Sequence, residues 1–335
     1  MNIFPQNLSK LFVGLSLFVF YVHSTPLWST KKANNWYQSI GWRVGCNFIP
    51  STAVNQLEMW QAETFDPQTI QNELQLAQNI GFNTVRFFLQ YLARGEDKSG
   101  FKSRMNTLLN IIKNFKIKTI FVLFDDCQNS DPHIGQQPAP ITEGIHNSQW
   151  VQCPGSSQPV YSSYKEYIQD ILTKFAEDDR VLFWDLLIQR ATEVNITQPN
   201  TAEMWHLLKQ LNFFQVQNSD IITFHLYSQP LVLEIEIKNL KKHGRPIICT
   251  EYMARTLGYI FKNQLPIFKK HNLGAINWGL VFGKTQTVFR WRSPEGAPIP
   301  KVWFRDIFWK NSTYYSEEEC SFIQRITTNN LAKTI

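Results

Sequence analysis

Residues 84–125 read TVRFFLQYLARGEDKSGFKSRMNTLLNIIKNFKIKTIFVLFD, and this stretch decides the fold. It opens and closes with short apolar runs, 84–89 and 118–125, which have the length and composition of buried strands. An apolar stripe at helical spacing lies between them and consists of Leu108, Leu109, Ile112 and Phe115. A strand, an amphipathic helix and a second strand form the repeating unit of a parallel sheet with crossover helices.

The same alternation extends along the rest of the chain. Predicted strands lie at residues 43–49, 84–89, 118–125, 181–188, 198–205, 220–227, 246–251 and 275–280. Further helical stripes are Ile70, Leu74 and Ala77; Tyr167, Ile168, Ile171, Leu172 and Phe175; and Ile260, Leu265 and Phe268. Eight such units in 335 residues predict one α/β domain, a (β/α)8 TIM barrel, because that fold takes roughly 250 residues.

One predicted connection is too short. A parallel crossover including its helix needs at least about 10 to 12 residues, and fewer remain between the fourth strand, ending at 188, and the fifth, starting at 198. The crossover helix between strands 4 and 5 is therefore expected to be missing. Either the barrel is deformed at this point or the sequence is damaged.

The amino terminus has the features of a secretory signal. Lys10 precedes an apolar run at residues 11–22, followed by small residues that a signal peptidase favours. The run is too short to span a bilayer comfortably. We expect residues 1–24 to be a signal peptide and residues 25–335 to form a secreted, extracellular barrel domain.

In a secreted protein, asparagines can be glycosylated and cysteines can form disulfides. Asn195 and Asn311 begin the triplets Asn-Ile-Thr and Asn-Ser-Thr, which can accept glycans. Cys46 and Cys249 lie inside predicted strands and are expected to be buried thiols. The remaining cysteines are Cys127, Cys153 and Cys320. Five cysteines without metal-like spacing allow at most two disulfides, and we expect no metal and no cofactor.

Composition limits the partners. The net charge of +6 is spread along the chain without a Lys/Arg block, which favours a solvated basic surface over nucleic-acid binding. No later segment is a candidate membrane span, so we expect no membrane association, and we expect a monomer. The aromatic fraction of 14%, with 11 Trp, fits either an aromatic-rich core or a cleft that stacks on sugars.

Several strand ends carry side chains suited to catalysis. Glu251 ends the seventh strand, at the edge where barrel enzymes hold their active sites. Arg86 ends the second strand, where a guanidinium either keeps a neighbouring carboxylate ionised or forms a structural ion pair. His225 and Tyr227 end the sixth strand and can both face inward at period two. Retaining hydrolysis of a β-glycosidic bond needs two carboxyl groups about 5 to 5.5 Å apart, and Glu251 could be one of them.

From about residue 36 to 308 the chain resembles clan A glycoside hydrolases, near glycoside hydrolase family 5, and in particular xylanase- and cellulase-like proteins. The resemblance rests on five blocks: GCNFIPSTA from residue 45, NQLEMWQAETFDP from 55, FVLFDDC from 121, IITFH from 221 and NWGLVFGKTQT from 277. Blocks of this length are more specific than a single motif.

The resemblance implies a role for each matching residue. Glu251 would be the nucleophile, with Arg86 and Tyr227 as its positioning partners. His225 would contact the sugar, and Trp278 would form the platform under the sugar that is attacked. Residues implied either to line the cleft or to pack its loops are Asn55, Glu58, Trp60, Asp125, Asp126, Asn147, Trp150, Lys284 and Gln286.

The fourth strand departs from the family pattern. The resemblance predicts Trp-Asp-Leu-Tyr-Asn-Glu-Pro, whereas residues 184–190 read WDLLIQR, so the general acid/base falls on Gln189. A carboxamide cannot donate a proton to a leaving oxygen at neutral pH, and Glu193 is the nearest carboxylate downstream. One local deletion, mis-joined exon or frameshift would explain the lost motif and the lost helix together, so we favour damage over gradual change.

Two functions remain open. The first is a secreted retaining β-glycosidase that acts on plant-type xylan, glucan or mannan and is inactive or strongly impaired because Gln189 replaces the acid/base. The second is a non-catalytic pseudoenzyme that binds polysaccharide or oligosaccharide in the same cleft.

Overall fold

The computed structural model describes residues 27–125, 127–142, 144–155, 161–186, 194–204 and 209–328. Its parallel strands are β1 (Val44–Asn47), β2 (Thr84–Phe88), β3 (Lys118–Val122), β4 (Val181–Asp185), β5 (Asn200–Thr201), β6 (Ile222–His225), β7 (Ile247–Glu251) and β8 (Gly274–Trp278). They are hydrogen-bonded in the order β5-β4-β3-β2-β1-β8-β7-β6. Because β1 pairs with β8, the sheet curls on itself.

The two ends of this sheet meet. The amide of Met204, just beyond β5, donates to the carbonyl of Thr223 in β6 at 3.0 Å, and Met204 forms a parallel bridge with Phe224. The barrel is therefore nearly closed, and the predicted (β/α)8 class is confirmed.

Helices cover the outside of the barrel. They are α1 (Thr30–Ile40), α2 (Gln56–Trp60), α3 (Pro67–Asn79), α4 (Tyr91–Glu96), α5 (Lys98–Asn114), α6 (Tyr161–Phe175), α7 (Lys209–Gln217), α8 (Pro230–Leu240), α9 (Phe261–His271) and α10 (Glu317–Thr328). Short 3₁₀ turns occur at Lys241–His243 and Arg255–Leu257. The predicted stripes occur in α3, α5, α6 and α9, and most of their residues are buried, as expected of an amphipathic helix on a sheet.

Local sequence explains where two of these helices begin. The Asp66 side chain accepts from the Thr69 amide and is followed by Pro67, whose fixed φ suits the first helical position of α3. The Asp97 side chain accepts from the Gly100 amide in the same way and starts α5. Both carboxylates satisfy a backbone donor that the helix itself leaves without a partner.

All eight predicted strands are present, and the fifth is the least complete. It was predicted at 198–205 and is a strand only at Asn200–Thr201. Within the described part of the β4–β5 connection, 194–199, there is no helix. Instead, Gln198 donates to the carbonyls of Phe175 and Asp178 and ties the segment to the end of α6.

One cluster of buried apolar side chains consists of Tyr37, Ile120, Leu182, Phe183, Ile221, Ile248 and Ile276. Cys46 and Cys249 are fully buried thiols, as predicted from their strands. No helix in the described ranges is long and apolar enough to cross a membrane. The predicted signal peptide lies outside the described residues.

Candidate functional site

Polar side chains converge where the parallel strands end. Because all strands run in one direction, their carboxyl ends meet at one mouth of the barrel. The side chains gathered there at or near the strand ends are those of Asn47, Arg86, Asp185, Glu203, His225, Tyr227, Glu251 and Trp278. This mouth is the candidate active site.

Glu251 is held by a neutral donor. Tyr227 Oη donates to Glu251 Oε2 at 2.5 Å. Burial raises the pKa of Tyr227 well above its usual value of 10.0, so the phenol keeps its proton. A further side chain, Arg305, donates from Nη2 to the same phenolic oxygen at 2.5 Å. The predicted nucleophile and its predicted partner Tyr227 therefore lie in direct contact.

Arg86 is fully buried and serves two other carboxylates. Its Nη1 donates to Asn47 Oδ1 at 2.7 Å, and its Nη2 pairs with Asp185 at 2.7 Å and with Glu203 at 3.1 Å. Burial alone would lower the pKa of Arg86, but the charges of Glu203 and Asp185 outweigh it and raise that pKa. Among the described residues, the ion pairs of Arg86 thus go to these two carboxylates rather than to Glu251.

Glu203 is a second carboxylate of the site, which the sequence analysis did not identify. Its Oε1 accepts from the Thr250 hydroxyl and lies 2.5 Å from His225 Nε2, while its Oε2 pairs with Arg86. Burial opposes the charged form, yet Arg86 and then His225 lower the pKa of Glu203 to about 2. Glu203 is therefore ionised throughout the neutral range.

His225 lies between the two glutamates. Its Nε2 is 2.5 Å from Glu203 Oε1 and 3.6 Å from Glu251 Oε1. Burial would lower the pKa of His225, but the charges of Glu203 and then Glu251 raise it above its usual value. The imidazole therefore favours its cationic form and links the two carboxylates electrostatically.

An aromatic wall stands beside these charges. Trp278 stacks on Phe88 at a centroid distance of 5.7 Å and meets Trp150 edge-on at 5.3 Å. The indole nitrogen of Trp150 donates to Asp125 Oδ2 at 2.7 Å. The structure thus brings Asp125, Trp150 and Trp278 together. Trp278 is only 6% exposed, so a small part of its surface is available to a ligand.

Other predicted cleft residues bind loops to one another. Asn55 caps α2 by accepting from the Glu58 amide at 2.9 Å, and its amide group donates to the carbonyl of Gln149. Glu58 accepts from Lys284 Nζ at 2.5 Å, which joins the loop after β1 to the loop after β8. These contacts favour the loop-packing alternative for Asn55, Glu58 and Lys284.

The loop after β3 is fixed in the same way. The Asn147 amide donates to the carbonyl of Thr285 at 2.9 Å, and Gln286 donates to the carbonyl of Ile141 at 2.7 Å. Trp60 has no exposed surface and donates from its indole nitrogen to the carbonyl of Phe88, so it belongs to the core. Asn147 and Gln286 are buried at the same mouth and support its walls.

Two predicted site residues lie outside the described residues. These are Gln189, the predicted position of a lost acid/base, and Asp126. Arg305 was also not predicted, although an arginine in the apolar segment at 303–308 is itself a signal, since an arginine is almost never fully buried without partners. Glu203 was missed because the fifth strand was predicted to run to 205, which made this residue part of a strand rather than a strand end.

Solved structures of other proteins share this fold, although sequence comparison finds no match. No protein-family model matches the chain, and no curated protein matches it by sequence. A family 5 mannosidase structure from Rhizomucor miehei is similar at 12% identity with a TM-score of 0.53, covering 86% of this chain and 92% of that one. The Thermotoga petrophila endo-β-1,4-mannanase is similar at 11% identity with a TM-score of 0.52, covering 88% and 78%.

A third solved structure, GH5_18 from Streptomyces cattleya in complex with GlcNAc, has a TM-score of 0.55 at 10% identity and covers 87% of this chain and 81% of that one. At these identities the similarity establishes the fold alone. The resemblance to glycoside hydrolase family 5 is thus confirmed at the level of the barrel.

Proposed function

We propose that this chain is a secreted carbohydrate-active barrel of the retaining β-glycosidase type, with Glu251 as its nucleophile and an impaired second half-reaction. The contact between Tyr227 and Glu251 carries the proposal. A buried neutral phenol that donates to a carboxylate at a strand end orients one oxygen and leaves the other for attack on an anomeric carbon.

Proton transfer is the weak step. The sequence has Gln189 where the family pattern has its acid/base, and an amide neither donates nor accepts the required proton. Glu203 does not replace it as an acid, because a carboxyl group with a pKa of about 2 holds no proton to donate at neutral pH. Turnover of polysaccharide, whose leaving group is another sugar, is therefore expected to be negligible.

The proposed partner is a β-glycan. Xylan, glucan and mannan were the candidates from sequence, and the names of the structural neighbours, mannosidases and mannanases, make mannan the first to test. We further propose secretion as a monomer, with glycans on Asn195 and Asn311, both of which are exposed.

Exposure to a 2,4-dinitrophenyl β-mannoside, with the glucoside and xyloside in parallel, tests the nucleophile. The acidic phenol leaves without protonation, so Glu251 attacks the anomeric carbon, the C–O bond to the phenolate breaks, and a glycosyl ester remains. Its hydrolysis needs the missing base, so intact-mass measurement should show the adduct accumulating. Azide should release it as a β-glycosyl azide.

Glu251→Ala should abolish the adduct, and Glu177→Ala, at an exposed glutamate, should not. Adduct formation that persists in Glu251→Ala would remove Glu251 from this role. A folded chain that binds manno-oligosaccharide but never gains the adduct would instead support the alternative, a carbohydrate-binding pseudoenzyme, which the replacement at Gln189 favours.

A further inference from the structure

Arg305 follows β8 in the chain. Its side chain reaches the hydrogen-bonded pair that Tyr227 forms with the proposed nucleophile, Glu251. Its backbone is fixed on both sides, since the Phe304 amide donates to the carbonyl of Val288 and the Ile307 amide to that of Leu280, each at 2.8 Å. The side chain is 2% exposed. A buried guanidinium is retained only where partners offset the loss of its hydration.

The order of donors in this group is determined by chemistry. A phenol has one proton, and Tyr227 donates it to Glu251 Oε2. The phenolic oxygen must then accept, and it accepts from Arg305 Nη2. The guanidinium itself lies 3.9 Å from Glu251 Oε2. The result is a directed chain from Arg305 through Tyr227 to the carboxylate, in which each bond polarises the next.

Aromatic rings enclose the guanidinium. Its Cζ lies 4.9 Å from the ring centroid of Tyr227, 5.0 Å from that of Trp291, 5.2 Å from that of Phe304 and 6.0 Å from that of Trp278. These faces attract the cation and keep water away from it. Because the surroundings are apolar, the positive charge acts on the nearby carboxylate with little screening.

We propose that Arg305 is a positioning residue for Glu251: through Tyr227 it fixes the direction of the carboxylate. The catalytic consequence rests on the proposed function, whereas the effect on the carboxylate does not. The charged or titratable groups around Glu251 and Arg305 are Arg86, His146, Glu203, His225, Tyr227, Cys249 and Asp306.

Kinetics of adduct formation test the positioning role. With the dinitrophenyl glycoside in single turnover, Arg305→Met should slow adduct formation by roughly 10- to 100-fold, because an unoriented carboxylate attacks poorly. Arg305→Lys, which keeps the charge, should recover part of the rate. If Arg305 acts through Tyr227, Arg305→Met should add little to the loss caused by Tyr227→Phe. Fully additive losses would contradict that route.

Carbon-13 NMR of the carboxylate tests the positioning role without any turnover. In protein carrying ¹³C-labelled glutamate carboxyls, the Glu251 signal can be assigned by its loss in Glu251→Gln. At pH 7 its chemical shift should change in Arg305→Met, because the phenol that donates to the carboxylate then loses its own donor, and should change little in Arg305→Lys. Arg255→Met is the matched control, because Arg255 is another buried arginine, paired with Glu319 at 2.5 Å.

An unchanged Glu251 chemical shift in folded Arg305→Met, or an equal change in Arg255→Met, would overturn the proposal. The two hypotheses fail separately. A wild-type protein that forms no adduct contradicts the nucleophile assignment, while the NMR measurement still decides the role of Arg305.

Discussion

The two sides of the barrel mouth differ in the length of their strands and in how their carboxylates are bound. On one side, β7 and β8 are each five residues long, and the carboxylate at the end of β7 has an ordered donor in Tyr227. On the other side, β5 is two residues long and pairs with β4 at only two positions. The side that carries the proposed nucleophile is complete, whereas the side that should carry the acid is where the sheet is thinnest.

The electrostatics differ in the same way. On the β7–β8 side, a neutral phenol that accepts from the guanidinium of Arg305 binds one oxygen of the Glu251 carboxylate. The β4–β5 side holds an ionic cluster in which Arg86 joins Asp185 and Glu203, and both of these carboxylates accept from the guanidinium. The proposed attack and the proposed proton transfer thus belong to different sides, and they should be separable by experiment.

The largest expected effect comes from restoring a carboxyl group at residue 189, where we propose that the acid was lost. Gln189→Glu should raise turnover of glycosides with poor leaving groups by about 10²- to 10⁴-fold, the usual contribution of general acid catalysis. Formation of the adduct from a dinitrophenyl glycoside should change little, because that phenolate leaves unprotonated. The measurement is a comparison of the rate of adduct formation, read from the first turnover of phenol release, across phenols of increasing pKa.

The same substitution in Glu251→Ala should give no gain, which serves as its control. Equal gains in the rate of adduct formation for good and poor leaving groups would mean that residue 189 does not protonate the leaving group. No gain with any substrate would mean that the β4–β5 side does not place a carboxyl group at the glycosidic bond. The two sides would then differ in backbone position as well as in the residue at 189.

An intermediate effect is expected from breaking the ionic cluster. Glu203→Gln leaves Arg86 and His225 short of a counter-ion, and should lower the free energy of unfolding by up to about 3 kcal/mol at pH 7. The substitution also removes a negative charge that repels Asp185, whose pKa is raised to about 6 by burial and in part by the charge of Glu203. The loss of that repulsion offsets part of the decrease in the free energy of unfolding. Urea unfolding of both proteins measures the difference.

The difference should depend on pH in a defined direction. The pKa of Glu203 is about 2 in the folded protein against a usual 4.5, so its contribution is fully present above pH 4.5 and is lost as the pH falls through 2. The wild type and Glu203→Gln should therefore converge as the pH falls from about 5 toward 2. Glu177→Gln, at an exposed site, should show no such convergence. A difference in the free energy of unfolding between wild type and Glu203→Gln that stays constant with pH would contradict a stabilising role for the ionised Glu203.

Sequence predicted the barrel well and the site in part. Strand order and the places of Glu251, His225 and Tyr227 followed from alternation and strand ends, because one rule, polar groups at carboxyl ends, governs them all. Glu203 did not follow, since its place depends on where β5 stops. Arg305 did not follow either, because it lies on an irregular segment whose path is set by contacts with the loop after β8. Both positions are set by tertiary contacts, although the arginine within an apolar segment is a local signal of burial with partners.

The smallest expected effect concerns sugar binding, which needs the intact side only. Trp278→Ala should weaken affinity for a manno-, gluco- or xylo-oligosaccharide by roughly fivefold, because ring stacking contributes about 1 kcal/mol beyond area and most of this indole is already covered by Phe88 and Trp150. Calorimetric titration of folded protein measures it, and Trp36→Ala, in α1, is the matched control. Identical titrations for wild type and Trp278→Ala would remove Trp278 from the binding surface. Equal weakening by Glu203→Gln would show that the ionic side also contacts the sugar, so that the two sides divide the chemistry but share the binding.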